Sequence, residues 1–385
     1  MGSTAVVVGG GIGGLAAAIG LCRIGWDVTV VERASTLEDA GAGISLAANG
    51  LRALDELGVG EAVRDASRGQ YRGGTRTPRG RRLARMDGAA LENAVGSPIM
   101  GIPRSTLHRL LRDSLPAASL RIGSEATSVE QIGPGTVRVG CGDTVLDADL
   151  VVAADGIGSK VRNRLFPAHP GPVHSGSTVL RAITEHAVDL PTDFELTWGR
   201  GVEFGHIAFL DGRAEWHAVL SLPAGTRFAD PLTELRRRFH HWHDPIPALL
   251  GATRPAAVLH HDVNELRTPL PSYAIGRIAL LGDAAHAMTP HLGQGACQAL
   301  EDAVVLAAAL GTEPTVETAL ARYDAERRPR SQAVARAAGQ AGRMGQQLSH
   351  PVAVALRNSA MRLTPSRITM RMLLRHHAWV PPHLT

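Results

Sequence analysis

The run Thr4-Ala5-Val6-Val7-Val8, the turn Gly9-Gly10-Gly11-Ile12-Gly13-Gly14 and the segment Leu15-Ala16-Ala17-Ala18-Ile19 follow one another without interruption. A second apolar run, Val28-Thr29-Val30-Val31, comes soon after and ends in Glu32. β-Branched runs bounded by glycine read as buried strands, and the small-residue segment reads as a helix pressed against them. In such a unit Gly9 permits the turn, Gly11 lets the backbone approach a pyrophosphate, and Gly14 brings the helix close to the sheet. The helix N-terminus offers free N–H groups and a positive dipole end to phosphates. Glu32 is placed to accept two hydrogen bonds from an adenosine ribose. Glycine-rich turns are common by themselves; with strand, helix and acid in register they predict a dinucleotide site.

The 385 residues leave room for two domains, and 44% hydrophobic with 20% charged residues describes a soluble globular chain. No apolar run reaches the roughly 20 residues of a spanning helix. The stretch from Ala5 to Leu21 is punctuated by glycines and lacks a basic flank, so it reads as neither signal peptide nor anchor. Cys22, Cys141 and Cys297 are odd in number and form no CxxC pair, which suggests reduced, buried thiols in a cytoplasmic protein. Net charge is +4, and Lys160 is the only lysine. After Glu326 no acid occurs, while ten arginines do, from Arg327 to Arg375. Such a tail could touch nucleic acid or an anionic membrane. With no aromatic residues interleaved among the arginines, it reads instead as a helical C-terminus lying on the protein.

Along the chain, the β-α-β unit gives way to a loop, Gly41-Ala42-Gly43-Ile44-Ser45, and a helix from Asn49 to Leu57 closed by Gly58. Residues 69–96 are rich in glycine and arginine and suggest hairpins or a mobile excursion. From about 170 to 265 alternation has period two, with Trp198, Trp216 and Trp242 among the runs, which predicts an inserted antiparallel sheet. A buried strand returns at Arg277–Asp283, followed by a helix from Ala296 to Leu310. Beyond residue 343, Leu356, Met361, Leu363, Ile368, Met372 and Leu373 recur near helical spacing around Pro365. Two short helices are expected there, with their apolar side packed over the cofactor domain or a neighbouring subunit and their arginines outward or paired to acids. Two acids beside glycines, Asp155-Gly156 and Gly282-Asp283, end predicted buried strands. Each could be a helix N-cap, but a carboxylate lining a cofactor groove could also accept hydrogen bonds from sugar hydroxyls.

The fingerprint at Gly9–Gly14, the segment Ala154-Asp155-Gly156-Ile157-Gly158-Ser159-Lys160-Val161-Arg162, and the run Leu281-Gly282-Asp283-Ala284-Ala285-His286-Ala287-Met288-Thr289-Pro290-His291-Leu292-Gly293-Gln294-Gly295 resemble those of the single-component flavin monooxygenases. These are aromatic hydroxylases similar to para-hydroxybenzoate and salicylate hydroxylases. Glu301-Asp302-Ala303 extends the last match. The resemblance implies an α/β fold: a Rossmann-type FAD-binding domain, an inserted mostly antiparallel β-sheet substrate domain and a C-terminal helical tail. The expected boundaries are 1–72, 97–168 and 267–342 for a discontinuous FAD domain, 73–96 and 169–266 for the substrate domain, and 343–385 for the tail. It further implies that Gly9, Gly11, Ile12, Gly13 and Gly14 serve the FAD pyrophosphate, Glu32 the ribose and Arg33 the adenine. Gly43 and Ile44 would line the same groove, and Arg104 would reach the ribityl or phosphate region. Asp155, Gly156, Gly282 and Asp283 would support the ribityl side; Pro290, Gly293, Gly295 and Ala296 would face the isoalloxazine ring.

Chemistry implied by the resemblance is reduction of FAD by transient NADPH or NADH and oxygen transfer from a flavin hydroperoxide to an aromatic or polycyclic molecule, by hydroxylation or epoxidation. That is work typical of secondary metabolism or aromatic degradation. Expected partners are the small aromatic substrate and O2, without nucleic acid, membrane or metal, in a monomer or homodimer. Pocket candidates are Arg181, Phe204, His206 and Trp216 from the inserted sheet and His291 from the flavin side. Phe204 and His206 share a strand face. His286 reads as loop packing rather than a base, and the histidines from His240 to His261 as a surface patch rather than a metal site. Two other readings stay open: a flavin-dependent reductase or saturase, and a flavoprotein that sequesters its ligand without turnover.

Overall fold

The computed structural model describes residues 2–37 and 42–384. Its first layer is a six-stranded sheet in the order Ala274–Ile275, Ile278–Leu280, Leu150–Ala153, Thr4–Val8, Asp27–Glu32, Leu120–Ile122. The pairings are parallel except for the Ala274–Ile275/Ile278–Leu280 hairpin. Val6, Val7, Val30, Val151 and Val152 are buried at its centre, as parallel strands covered on both faces require.

The fingerprint helix, Ile12–Arg23, leaves this sheet at Gly9, whose φ of 108° an L side chain rarely adopts. A Cβ on Gly14 would lie 1.9 Å from the Gly9 carbonyl oxygen, so glycine is obligatory where the helix crosses its own entering turn. Farther along, a Cβ on Gly20 would come within 3.0 Å of the Ala307 methyl, so the helix lies close against the alanine-rich helix Gly295–Thr312. That helix spans two residues more than expected at its C-terminal end and one more at its N-terminal end. Residues Gly43–Leu46 are a strand, not the expected loop, because they pair with Ile99–Pro103. Gly41 lies outside the described residues.

The second large sheet has seven strands, in the order Leu259–Glu265, Val173–Ile183, Ala214–Ser221, Val202–Ala208, Phe194–Trp198, Arg72–Arg76, Arg82–Asp87. The glycine- and arginine-rich excursion thus supplies its last two strands, joined in parallel to Phe194–Trp198. One face carries Leu180, Phe204, Trp216 and Leu220 beneath the helices Pro231–Phe239 and Ile246–Gly251. Phe204 stacks on Trp216 and meets Phe239 edge to face. The opposite face, with Val179, Arg181, Glu203, Ile207, Glu215, His217 and Val219, looks into a cleft toward the first sheet.

The long helix Val316–Met344 opens with a capping box at Thr315 and Thr318. It carries Arg327 into the interior, 1% exposed, against two carboxylates of the Gly295–Thr312 helix that are themselves fully buried. Arg327 Nε donates to Asp302 at 2.7 Å, Nη1 donates to Glu301, and Nη2 donates to Gln298 Oε1 at 2.9 Å. Arg330 forks onto Glu301 at 2.6 and 2.7 Å, and Asn49 Nδ2 donates to Glu301 at 2.7 Å. Asp302 also accepts from the Gly282 N–H at 3.0 Å and meets His286 Nε2 at 2.6 Å. Buried charges are tolerated only with such complete pairing. Burial alone would push the Asp302 carboxyl up, but His286, Arg327 and the Gly282 N–H together hold it below the usual range.

Removing one member of a buried ion pair leaves the others uncompensated, at a cost of about 3–5 kcal/mol. Arg327→Met is therefore expected to destabilise the protein by that amount in denaturant unfolding monitored by circular dichroism. A loss below about 1 kcal/mol, the range of exposed ion pairs, would show that the network does not hold the helices together.

Candidate active site

Between the two large sheets lies a cleft of ≈ 600 Å³. Its wall takes in Gly11, Ile12, Gly13, Gly43, Ile44, Arg104, Gly156, Gly282, Asp283, Pro290, Gly293, Gly295 and Ala296 from the expected cofactor set. Gly9, Gly14, Glu32, Arg33 and Asp155 are not among the lining residues. Gly9 and Gly14 shape the turn behind it. Glu32 already accepts from the Gly10 N–H at 2.7 Å and the Ala34 N–H at 2.8 Å, so it braces the glycine turn as well as standing at its end. Asp155 Oδ2 accepts from the Val161 N–H at 3.3 Å, while its Oδ1 is buried without a partner among the described residues. Sequence reasoning missed His108, whose Nε2 lies 2.7 Å from the Gly10 carbonyl oxygen and fixes the turn from the side.

Two helix N-termini open on the cleft. Gly11 caps the fingerprint helix and Gln294 caps Gly295–Thr312, and neither helix start has a side-chain cap. The Gln294 amide oxygen is turned inward, accepting from Asn49 at 2.9 Å, so the first-turn N–H groups are left to the cleft. A Cβ built on Gly11, Gly156 or Gly295 meets nothing within 4 Å. The room that these glycines leave, the uncapped N–H groups and the exposed Asp283 carboxylate fit an elongated, phosphate-bearing, hydroxyl-rich cofactor.

On the sheet side the wall is mainly apolar, with Val179, Phe194, Leu196, Ile207 and Val219, around one charged cluster, and Arg85 lines it from the sheet's last strand. His217 Nδ1 stands 3.2 Å from Glu215 and its Nε2 3.8 Å from Glu203. Arg181 pairs with Glu215 at 3.3 Å and donates to the Gly43 carbonyl at 2.6 Å. Burial lowers the His217 pKa by itself, but Glu215 and Glu203 outweigh it and raise the imidazole above its ordinary value. Burial likewise pushes the Glu215 carboxyl up, and His217 and Arg181 more than offset it. His291 faces them from the opposite wall of the cleft, seated on Gly342 of the long helix, and burial lowers its pKa.

Of the five expected pocket residues, Arg181 and His291 line the cleft. Phe204 and Trp216 do not: strand alternation turns them to the far face, under the helices. His206 shares that face, with Nε2 3.1 Å from the Thr192 carbonyl, and burial keeps its pKa low. The residues missed were Glu203, Glu215 and His217, on the opposite parity. Their signal was present: two acids and a histidine inside apolar runs that form buried strands. His286 is buried, with its Nε2 2.6 Å from Asp302.

Residues 3–338 match the family model described as FAD binding domain. The chain is 36% identical over 368 residues to the aurachin C monooxygenase/isomerase of Stigmatella aurantiaca, covering 95% of each. It is 35% identical over 387 residues to a 2-heptyl-3-hydroxy-4(1H)-quinolone synthase of Pseudomonas aeruginosa, covering 96% of each. The fold superposes on Klebsiella pneumoniae HpxO complexed with FAD and uric acid with a TM-score of 0.91, at 26% identity over 99% of this chain and 97% of that one. The chain belongs to the FAD-dependent aromatic monooxygenases. It is therefore a flavoprotein and an oxidoreductase, and the doubly wound sheet with its inserted antiparallel sheet is that family's architecture. Among the described residues, no helix is long and apolar enough to cross a membrane.

His217 gains its carboxylate partners only on folding, so its folded pKa lies above the unfolded value of about 6.5. Its contribution is then fully present below that pH and lost as pH rises through the raised value. Wild type is expected to exceed His217→Gln in stability most at acidic pH, with the advantage declining toward alkaline pH in thermal melts. An advantage that grows with pH would mean that the imidazole is held neutral.

Proposed function

We propose that this protein uses NADH or NADPH and O2 to hydroxylate a flat, uncharged aromatic or fused heteroaromatic molecule that presents N–H or O–H groups. The observation that carries the substrate class is the Glu203–His217–Glu215–Arg181 cluster. Along the strands Val173–Ile183, Val202–Ala208 and Ala214–Ser221, the cations lining the cleft, Arg181 and His217, are already committed to carboxylates. No free cation on these three strands awaits a substrate carboxylate, and two acids would repel one; Arg85 also lines the cleft, but on the sheet's last strand, three strands away from Glu203. A ring N–H or phenolic O–H can instead donate to Glu203, and the protonated imidazole can donate to a ring oxygen. The apolar wall around this group suits the rest of a ring system. A relative named for a quinolone is consistent with that chemistry.

Bound FAD supplies hydride acceptance and oxygen activation. For its part, the chain would hold the pyrophosphate on Gly11, Ile12 and Gly13, with Gly9 and Gly14 shaping the turn, Glu32 toward the ribose and Arg33 beside the adenine. Gly43, Ile44, Arg104, Asp155, Gly156, Gly282 and Asp283 would hold the middle of the cofactor. Pro290, Gly293, Gly295 and Ala296 would border the ring, where the uncapped helix N-terminus favours negative charge on the reduced cofactor. Residues 1–72, 97–168 and 267–342 would form the cofactor domain, 73–96 and 169–266 the substrate domain, and 343–385 the tail.

Asp283→Ala is expected to weaken FAD retention while leaving the apoprotein folded, since each charge-assisted hydrogen bond is worth about 1.5–3 kcal/mol. Unchanged flavin content and affinity would remove Asp283 from this role. Neutral N-heteroaromatics and phenols are expected to accelerate NAD(P)H oxidation and to acquire one atom of 18O from labelled dioxygen. Glu203→Gln should lower that acceleration by about tenfold or more through the lost charged acceptor. Stimulation without label would identify a reductase, and no stimulation by any ligand a sequestering flavoprotein. A response confined to organic acids would contradict the substrate class.

A further inference from the structure

The sequence pattern in the tail predicts two helices with their apolar side on the cofactor domain or on a neighbouring subunit, and two helices form, Pro351–Leu363 and Ser366–His377. Their apolar residues, however, are divided between two faces. Met370 and Leu374 turn inward against Ala48, Leu91 and Val95. Leu356 is 67% exposed, Leu363 81% and Met372 65%, with Val352 and Ile368 exposed beside them. Val352, Leu356 and Leu363 fall at i, i+4 and i+11, one stripe of a helix, and Ile368 and Met372 are one turn apart. That outward stripe is flanked by Arg362, Arg367, Arg371 and Arg375, all exposed. Among the described residues, none of these four arginines makes an ion pair, and the chain beyond Glu326 contains no acid that could supply one nearby.

The position of this surface is fixed by several bonds on its inner side. Arg357 donates to the Gly345 carbonyl and lies over the Trp198 ring at 5.2 Å. Arg330, a member of the buried network, donates to the His376 carbonyl at 3.1 Å. Arg52 donates to the Trp379 carbonyl at 2.8 Å and to the Val95 carbonyl at 2.6 Å. Thr369, Leu373 and His377 of the last helix meanwhile line the cleft. Burial lowers the His377 pKa to about 4, so this side chain is neutral at physiological pH and adds no charge to the wall. One helix thus separates the cleft from the outward apolar, arginine-edged stripe.

We infer that the helix pair Pro351–Leu363 and Ser366–His377 is an interfacial anchor that docks this protein on an anionic lipid bilayer, with the cleft opening beside the acyl region. An apolar stripe bordered by arginines matches the boundary between acyl chains and anionic headgroups, where the side chains bury and the guanidiniums meet phosphates. Each basic residue near such a surface strengthens partitioning about fivefold. A neutral, apolar aromatic, the substrate class proposed above, concentrates in lipid, and a cleft walled by the anchoring helix would receive it from there. The docking itself does not rest on the redox reading.

The test is co-sedimentation of the full-length, FAD-loaded protein, without turnover, with vesicles of phosphatidylcholine and with vesicles of equal parts phosphatidylcholine and phosphatidylglycerol. Binding to the anionic vesicles is expected to exceed binding to the neutral ones by about tenfold or more and to weaken with salt. The triple variant Leu356→Glu/Leu363→Glu/Met372→Glu should keep its flavin content and melting temperature, because these side chains touch little of the fold, yet lose anionic-vesicle binding by at least about tenfold. Absence of vesicle binding would overturn the inference. So would a wild-type dimer that the triple variant converts to monomer without either form binding vesicles, since the stripe would then join two copies of this chain. Salt-sensitive binding to duplex DNA that the triple variant retains, in place of vesicle binding, would assign the arginines to nucleic acid and overturn it as well.

Discussion

The Gly282–Gly295 side of the cleft is referred to one buried guanidinium. Arg327 enters the interior from the long helix and meets Glu301 and Asp302, consecutive residues of the helix that starts at the cleft. Because the two carboxylates are adjacent in sequence, they splay to different partners. Glu301 reaches Asn49 and Arg330, while Asp302 reaches the Gly282 N–H and His286. The Asp283 turn, the uncapped N-terminus near Gly295 and the helix beginning at Ala48 are thereby fixed with respect to one another. A charge cluster of this kind adds little net stability compared with an apolar core of the same shape. What it supplies is position: in low dielectric a misplaced partner costs several kcal/mol, so few alternative arrangements of these segments compete.

The cleft brings together two unlike walls. On the cofactor side, backbone N–H groups, glycines and a carboxylate present the polar complement of a phosphate- and hydroxyl-bearing molecule. On the sheet side, an apolar surface surrounds a cluster whose charges are matched internally, two carboxylates facing a guanidinium and an imidazole. Matching of that sort leaves hydrogen-bonding capacity without a strong net field. It discriminates by donor and acceptor pattern rather than by ligand charge, as the proposed substrate class requires.

Much of the fold was legible because its determinants are local. The strand, the glycine turn and the small-residue helix are contiguous from Thr4 to Ile19, and a Cβ at Gly14 or Gly9 would collide with the Gly9 or Ala154 carbonyl, which explains why those residues are glycine. The sheet-side wall of the cleft was harder to read for a definite reason. Strand Val202–Ala208 is buried on both faces, one under helices and one at the cleft, so apolar residues occupy both parities and no polar side marks the orientation. Phe204 and Trp216, the largest side chains, were therefore assigned to the pocket, although large aromatics fit the closed core under the helices better than the open cleft. The informative residues are the acids Glu203 and Glu215, because a buried carboxylate needs partners and theirs stand at the cleft. In the tail, periodicity identified both helices but could not say that their longest apolar stripe faces outward, because that depends on how little surface the body offers Leu356 and Leu363.

The central claim is that the Arg327 network acts by positioning the cofactor turn rather than by adding bulk stability, and FAD affinity in two variants matched for stability tests it most directly. Asp302→Asn disturbs the acceptor shared by Gly282 and His286. Leu235→Ala opens a cavity of comparable cost, about 2–5 kcal/mol, in the remote core under the inserted sheet. Titration of each apoprotein with FAD, followed by flavin fluorescence, is predicted to give at least about tenfold weaker binding for Asp302→Asn and near wild-type binding for Leu235→Ala, a tenfold change being about 1.4 kcal/mol. Equal affinities in the two variants would contradict the account.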